Sequence, residues 1–166
     1  GNTYTLVFAA VICIACSILL AAATAGLKKR QDAMVELDRK TNILKAFGVA
    51  IRDSAGKKIS EADVNRYFAG HITEMRLDAD TGQPATEPAA SGTLPLYVWR
   101  DGGEISMYAF PVSGKGLWST IYGYMALDKK MESIVGVTFY RDGETPGLGG
   151  EVGKDWFQDQ FKGKKI

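Results

Sequence analysis

The apolar positions of this chain form one unbroken block at its beginning and periodic patterns after it. The block, Thr3 to Gly26, contains no Asp, Glu, Lys or Arg, and most of its residues are apolar. As a helix it would be about 36 Å long, which exceeds the roughly 30 Å thickness of the hydrocarbon core of a bilayer. The pattern therefore predicts a membrane-spanning helix, with residues 1–26 as an anchor.

A cleaved signal peptide is the alternative to a retained anchor, because the small residues at 23–26 resemble a cleavage site. The apolar part of a signal peptide is usually about 7–15 residues long, and this run is longer, so its length favours the anchor. The basic residues at 28–30 follow the span and would lie in the cytoplasm by the positive-inside rule. Because that rule compares two flanks and only one is visible, the charge pattern leaves the topology open.

Helical spacing of apolar residues returns after the basic triplet and predicts an amphipathic stalk helix over residues 27–48, with Gly48 as its C-terminal cap. A second helix is predicted to begin with Ser60 as N-cap and Asp63 at the third helical position. The apolar face of the stalk helix consists of Met34, Leu37, Leu44 and Phe47.

The single histidine and the two cysteines give little indication of a catalytic or metal-binding role. His71 lies near the end of the second helix, and we interpret it as structural or surface because no orienting partner can be identified. Cys13 and Cys16 share one helix face inside the apolar block, where no charge stabilises a thiolate. We interpret them as small packing residues, and we expect neither a metal site nor a catalytic pair in this chain.

Residues 78–95 are rich in Pro, Gly, Ala, Thr and Ser and predict a surface loop. After this loop the sequence shows the alternation that is typical of β-strands. Two hairpins are then predicted, one around the turn "DGG" and one around "DKK". A short amphipathic helix is predicted to begin at Asp155. Helices followed by antiparallel strands predict an α+β fold in which an antiparallel sheet with flanking helices forms a domain over residues 49–166. The four strands cover 94–100, 104–112, 119–127 and 131–140.

The segment "GETPGLGGEV", residues 143–152, is rich in glycine but contains no Lys or Arg and carries Glu144 and Glu151. A Walker loop needs a lysine, and a dinucleotide-binding loop needs different glycine spacing within a parallel unit, so phosphate binding is disfavoured. Glycines also let the main chain approach a flat surface closely. We expect the backbone and Leu148 to contact a planar ring. The alternative is an ordinary strand-to-helix loop, in which Pro and Gly are common.

A second motif, "GKGLWS" at residues 114–119, precedes a strand, and its Trp118 could instead fill the core. Together the two motifs resemble the flavin-binding domain of the NqrC family, which belongs to the bacterial Na+-translocating NADH:quinone oxidoreductase. The RnfG proteins of the Rnf complexes share this plan. The resemblance extends over the N-terminal helix, "ELDRKTNILKAFGV", the hairpins and both motifs, which is nearly the whole chain.

The resemblance implies FMN as cofactor, attached in that family by a phosphoester bond to a threonine of an "SGAT" motif. This sequence contains no "SGAT", so we expect the attachment site beyond residue 166 of a truncated chain, unless the protein differs there. The residues that the resemblance assigns to the flavin ring are Leu117, Trp118, Ser119, Glu144, Thr145, Gly147, Leu148 and Gly149.

The resemblance also implies a function. The chain would be a flavin-carrying electron-transfer subunit of a membrane Na+-pumping NADH:ubiquinone oxidoreductase, relaying electrons between redox centres of partner subunits. It implies a single-pass protein of the bacterial inner membrane with its soluble domain outside the cytoplasm. This placement is opposite to the one that the positive-inside rule gives for the basic residues at 28–30. The resemblance implies no nucleic-acid partner. Two alternatives remain: an anchored FMN-binding domain of an Rnf-like or other redox system, and a non-redox extracytoplasmic interaction module.

Overall fold

The computed structural model describes residues 1–52, 56–85 and 92–166. The chain divides into two compact units, Gly1–Asp38 and Arg39–Ile166. The predicted division into an anchor, a stalk and a domain stays a prediction. The predicted surface loop at 78–95 lies partly outside the described residues, because 86–91 belong to the part that is not described.

The first unit consists of the beginning of helix α1, which runs from Asn2 to Ala46. This helix is long and apolar enough to cross a membrane by length and composition, and its apolar window is not buried in the protein. Two of its hydroxyl groups bond within the helix: Ser17 Oγ donates to the Cys13 carbonyl at 2.7 Å, and Thr24 Oγ1 donates to the Leu20 carbonyl at 2.8 Å. Internal bonds of this kind are required in hydrocarbon, where water is absent.

The end of α1 is closed by a Schellman motif. The Gly48 amide donates to the Lys45 carbonyl at 2.9 Å and the Val49 amide to the Leu44 carbonyl at 3.0 Å. Gly48 has a φ of +84°, a conformation that glycine adopts readily. The structure therefore confirms the C-terminal cap at Gly48.

Helix α2, Glu61–His71, begins at the predicted cap. The Asp63 amide donates to Ser60 Oγ at 3.2 Å, and Ser60 Oγ donates to the Asp63 carboxylate at 2.7 Å. At the other end of the helix the His71 ring stacks on Trp99, with ring centroids 4.5 Å apart. His71 Nδ1 lies 3.3 Å from the Arg100 carbonyl oxygen, which agrees with a structural role.

Five antiparallel strands form one sheet in chain order. The α+β class, the antiparallel sheet and both predicted hairpins are confirmed. The first strand was not predicted, because it follows α2 directly without turn residues and carries polar side chains at the edge of the sheet. The strands are β1 (Ile72–Asp78), β2 (Thr93–Asp101), β3 (Glu104–Lys115), β4 (Thr120–Asp128) and β5 (Ile134–Arg141).

One face of the sheet packs against the last turns of α1. Thr138 Oγ1 donates to the Asn42 carbonyl at 3.3 Å. At Gly136 a Cβ atom would lie 2.6 Å from the Ala46 carbonyl oxygen, so only glycine permits this close approach of helix and strand. On the other face a cluster centred on Leu127 and Val137 includes phenylalanines from β5 and the C-terminal segment.

The C-terminal segment contains a 3-10 turn at Gly149–Gly153, helix α3 at Asp155–Gln158 and a second 3-10 turn at Asp159–Phe161. The predicted helix begins at Asp155 as expected, but only one turn of it is α-helical. The buried Gln158 amide fixes this segment, since its Nε2 lies 3.2 Å from the carbonyl oxygens of Phe139 and Val152.

Candidate functional site

The motif "GLWS" forms the connection between β3 and β4. The ladder of this hairpin ends at the pair Lys115 and Thr120, so residues 116–119 are its loop. The Gly116 amide donates to the Ser119 carbonyl at 2.8 Å and closes the loop at its base. The amide groups of the next three residues donate to a carboxylate from the other motif.

That carboxylate belongs to Glu144, whose exposed fraction is 9%. Its Oε1 accepts the amide N–H groups of Trp118 and Ser119, both at 3.0 Å, and its Oε2 accepts that of Leu117 at 3.2 Å. The Ser119 hydroxyl donates to Oε1 at 3.4 Å. Successive amide groups that converge in this way form an anion-binding concavity. In this protein the anion is supplied by the chain itself.

The same contacts determine the electrostatics of the site. The amide groups of Ser119 and Trp118 hold the pKa of the Glu144 carboxyl below its usual range, although burial acts in the opposite direction. Hydrogen bonds from N–H groups favour the charged form of a carboxyl. Glu144 is therefore a carboxylate at neutral pH.

Three glycines leave space where the two motifs meet. A Cβ atom at Gly116 would collide with the Glu144 carboxylate, and one at Gly149 would lie 2.9 Å from Glu144 Cβ. A Cβ atom at Gly143 would lie 3.1 Å from Ser119 Cβ. The Gly143 amide also donates to Ser119 Oγ at 2.6 Å. Part of the glycine content thus allows the two loops to pack against each other.

The segment after Glu144 forms a tight turn. The Leu148 amide donates to the Thr145 carbonyl at 3.1 Å, with Pro146 and Gly147 at the two central positions. Gly147 has a φ of +77°, as a type II turn requires at its third residue. No atom lies within 4 Å of the position that a Gly147 Cβ would take. The main chain is therefore open on that side.

Three large apolar side chains project from the two joined loops. The exposed fractions are 79% for Leu117, 74% for Trp118 and 73% for Leu148. The alternative that Trp118 fills the core is wrong. Large apolar groups that are exposed together on one site are typical of binding surfaces.

The eight predicted site residues lie on two loops that are hydrogen-bonded to each other, but they do not all face outward. Leu117, Trp118 and Leu148 are exposed, and so are Thr145 and Gly147. The remaining three are less exposed: Ser119 bonds Glu144 across the two loops, and Gly149 lies against the Glu144 side chain. Sequence reasoning did not identify this inward group, although an acid beside a glycine turn was a signal for it.

Two concavities flank the joined loops, and neither was anticipated. One is an apolar groove of about 350 Å³ between the β3–β4 hairpin and the C-terminal segment. The other is a shallow depression of about 410 Å³ beside Ser119 and Gly143. It contains Arg141, whose guanidinium carbon lies 4.2 Å from the centroid of the Tyr122 ring. The groove is lined by Ile121, Met125, Phe139, Val152, Phe157 and Phe161.

Comparisons with known proteins identify the family of this chain. The family model of the FMN-binding domain matches residues 116–166, which begin at the "GLWS" loop. The chain is 33% identical to NqrC of the Na(+)-translocating NADH-quinone reductase of Vibrio vulnificus over 182 residues, covering 92% of this chain and 68% of the relative. The NqrC of Yersinia pestis is 31% identical, with 98% of this chain and 70% of the relative covered.

Solved structures give the same result. The crystal structure of NqrC from Parabacteroides distasonis matches with a TM-score of 0.70 at 27% identity, covering 84% of this chain and 70% of that one. NqrC of Shewanella oneidensis matches with a TM-score of 0.67 at 24% identity, covering 78% and 70%, and supports the fold alone. The chain therefore belongs to the NqrC family of the Na(+)-translocating NADH-quinone reductases, and contains a match to its FMN-binding domain.

Proposed function

We propose that this protein carries FMN, with the flavin ring against the joined loops at 116–119 and 143–149, and that it relays electrons within a membrane Na+-translocating NADH-quinone reductase. The observation that carries the proposal is the exposure of Leu117, Trp118 and Leu148 on two loops that Glu144 holds together. The similarity to NqrC proteins and the match to the FMN-binding domain support the proposal.

The chemistry of the loops fits a flavin ring better than a phosphate. The amide groups of residues 117–119 donate to Glu144 and are therefore occupied. The open main chain at Gly147 permits a planar group to approach closely, and the exposed Thr145 offers a hydroxyl group. Exposed apolar side chains add contact area for an aromatic ring.

When bound, FMN supplies the redox chemistry, and the protein supplies binding, orientation and electrostatics. Leu117, Trp118 and Leu148 would exclude water from the ring, and Thr145 would orient it by a hydrogen bond. The phosphate end of FMN would be held away from these loops, whose amide groups Glu144 occupies.

The remaining parts of the proposal concern the membrane and the partners. Helix α1 would be retained as a single membrane anchor, for which its length and apolar composition give support. The domain would lie on the extracytoplasmic side of the bacterial inner membrane. Other proteins of the complex would supply the donor and the acceptor of electrons.

The ring-side assignment is tested with the full-length chain in detergent micelles. Riboflavin, FMN and inorganic phosphate are added separately, and the amide NMR signals of residues 145–149 are followed. Riboflavin contains the ring without the phosphate, so we expect riboflavin and FMN to shift the same signals and phosphate to leave them unchanged. A shift caused by phosphate, or no shift by either flavin, would contradict the assignment.

Leu148→Ala and Leu94→Ala provide a matched pair for the same titration, because both leucines are exposed and Leu94 lies on strand β2, outside both loops. We expect weaker flavin binding only for Leu148→Ala.

The complex is tested by affinity purification from native membranes. Co-purification of a flavin-containing chain with other redox subunits supports the relay, whereas purification of the chain alone supports an independent FMN-binding domain.

A further inference from the structure

The contacts of Glu144 are concentrated on a single loop. Its two carboxylate oxygens lie 3.0–3.2 Å from the amide nitrogens of Leu117, Trp118 and Ser119. These residues are 25 to 27 positions away along the chain. The contacts therefore join two segments that the sheet only brings near each other.

A carboxylate suits this position better than any neutral side chain. Three N–H groups and one hydroxyl group point at two oxygens. An ionised carboxyl group accepts at both oxygens, whereas an amide has one acceptor oxygen and an NH2 group that only donates. Hydrogen bonds to a charged acceptor are also stronger than neutral ones.

The surrounding glycines indicate that space has been left for this side chain. Gly116 and Gly149 border the Glu144 side chain so closely that a Cβ atom at either position would force it to shift. Glu144 itself is held from behind, because its own amide donates to Asp142 Oδ1 at 3.1 Å. Its carboxylate is thus surrounded by the loops.

We propose that Glu144 is a positioning residue: its carboxylate occupies the anion site of the 116–119 loop and holds the loop that carries Leu117 and Trp118 against the segment that carries Leu148, without contacting the cofactor. This inference replaces the expectation that Glu144 is a ring contact. Its consequence for flavin depends on the proposed function, but the joining of the loops does not. The loop amides are consequently closed to an external phosphate.

The first experiment needs no variant. The amide NMR signals of residues 117–119 of the full-length chain in micelles are followed as the pH falls. We expect the three signals to move together with one midpoint, below that of an ordinary glutamate. Asp142→Asn and Glu151→Gln are the controls, because both remove a neighbouring carboxylate and should leave this titration in place. Independent movement of the three signals, or loss of the titration in Asp142→Asn, would overturn the inference.

The second experiment compares Glu144→Gln with Glu151→Gln, both of which keep the shape of the side chain. We expect hydrogen exchange of the amides at 117–119 to accelerate at least about tenfold in Glu144→Gln, as loss of charge-assisted hydrogen bonds implies, and less than about twofold in Glu151→Gln. Unchanged exchange in Glu144→Gln would overturn the inference. If Glu144→Gln does not fold, the pH titration of the unmodified chain still decides the question.

Riboflavin binding separates this inference from the proposed function. We expect Glu144→Gln to weaken riboflavin binding several-fold while the signal of residue 144 in the unmodified chain changes less than that of Leu148. If riboflavin does not bind the unmodified chain, the ring-side function fails, and the exchange result still decides the role of Glu144. If riboflavin binds both chains equally, the positioning role fails and the function stands.

Discussion

The Ser119 hydroxyl oxygen accepts the amide N–H of Gly143 at 2.6 Å and so bonds the β3–β4 loop to the chain that leaves β5. The same hydroxyl group donates to the Glu144 carboxylate at 3.4 Å. A hydroxyl group is suited to this place because it donates and accepts at once. Ser119 therefore contributes to the site through its hydrogen bonds between the loops.

We expect Ser119→Ala to lower the free energy of unfolding by about 0.5–1.5 kcal/mol, because the Gly143 amide loses its acceptor. Chemical denaturation of the full-length chain in micelles measures this change. Ser113→Ala, at an exposed position of β3, is the matched control and should stay within about 0.5 kcal/mol. Equal effects of the two substitutions would contradict the bridging role.

Acid should destabilise the domain through Glu144. Its pKa is lowered in the folded protein, so the unfolded chain binds more protons and stability falls as the pH falls. The contribution is complete above the ordinary glutamate pKa of about 4.3 and is lost as the pH drops through the lower folded value. Asp155, whose pKa the Lys45 ammonium lowers, contributes with the same sign.

Thermal melting between neutral and acidic pH measures this dependence. We expect Glu144→Gln to melt at a lower temperature than the unmodified chain at neutral pH, with a smaller further loss in acid. Glu151→Gln should show the same acid dependence as the unmodified chain. Parallel curves for Glu144→Gln and the unmodified chain would exclude Glu144 as a source of acid sensitivity.

Alanine at Gly147 and at Gly149 should act for different physical reasons. Gly147→Ala places a side chain at positive φ in open space and should cost about 1–2 kcal/mol. Gly149→Ala pushes a methyl group into the Glu144 side chain and should cost about 1–3 kcal/mol. Both losses are expected without flavin in denaturation experiments. We also expect riboflavin to stabilise the Gly147→Ala variant less than the unmodified chain, because the added Cβ would face the open side of the turn. We do not expect this additional effect for Gly149→Ala.

Trp118→Ala should leave the stability of the domain almost unchanged, within about 0.5 kcal/mol, because the side chain is 74% exposed. Trp99→Ala is the contrasting variant: Trp99 is 8% exposed and should cost about 3–5 kcal/mol. We expect the flavin spectrum to respond to Trp118→Ala at matched folded fraction. An unchanged spectrum would place the ring elsewhere.

A charge in the middle of the apolar part of α1 should impair membrane insertion. Leu19→Arg should cost roughly 2.5–3.5 kcal/mol on insertion scales, whereas Leu27→Arg, next to the basic residues at 28–30, should cost little. The fraction of chain that resists carbonate extraction from membranes measures insertion. N-terminal sequencing of the mature chain adds a second measurement, since a start at Gly26 would indicate a cleaved signal.

Local signals in the sequence were sufficient for most of the fold. The cap at Ser60 and the glycine at Gly48 act within a few residues of the helix ends that they define. The turn "DGG" places β2 and β3 against each other for the same reason. Strand β1 was missed because its pairing partner, β2, supplies the evidence that its own polar sequence lacks.

The site was less predictable, because its central contact is not local. The sequence shows acids around a glycine loop, and this pattern disfavours phosphate. It does not show that the amides of Leu117 to Ser119 converge on Glu144, since that depends on the register of β3, β4 and β5. A long-range contact of this kind is decided by the sheet and not by the motif.

The end of α1 packs on β5, the last strand of the sheet, and this has a consequence for biosynthesis. Ile43 and Leu44 are fully buried, and their neighbour Asn42 bonds Thr138, 96 residues later in the chain. The ribosome therefore releases this part of α1 long before β5 exists to pack against it. The sheet itself can form hairpin by hairpin, since each strand pairs with the next one synthesised. The core is complete only when the last strand has been synthesised. A nascent chain arrested before β5 would therefore expose the apolar end of α1 to chaperones and proteases.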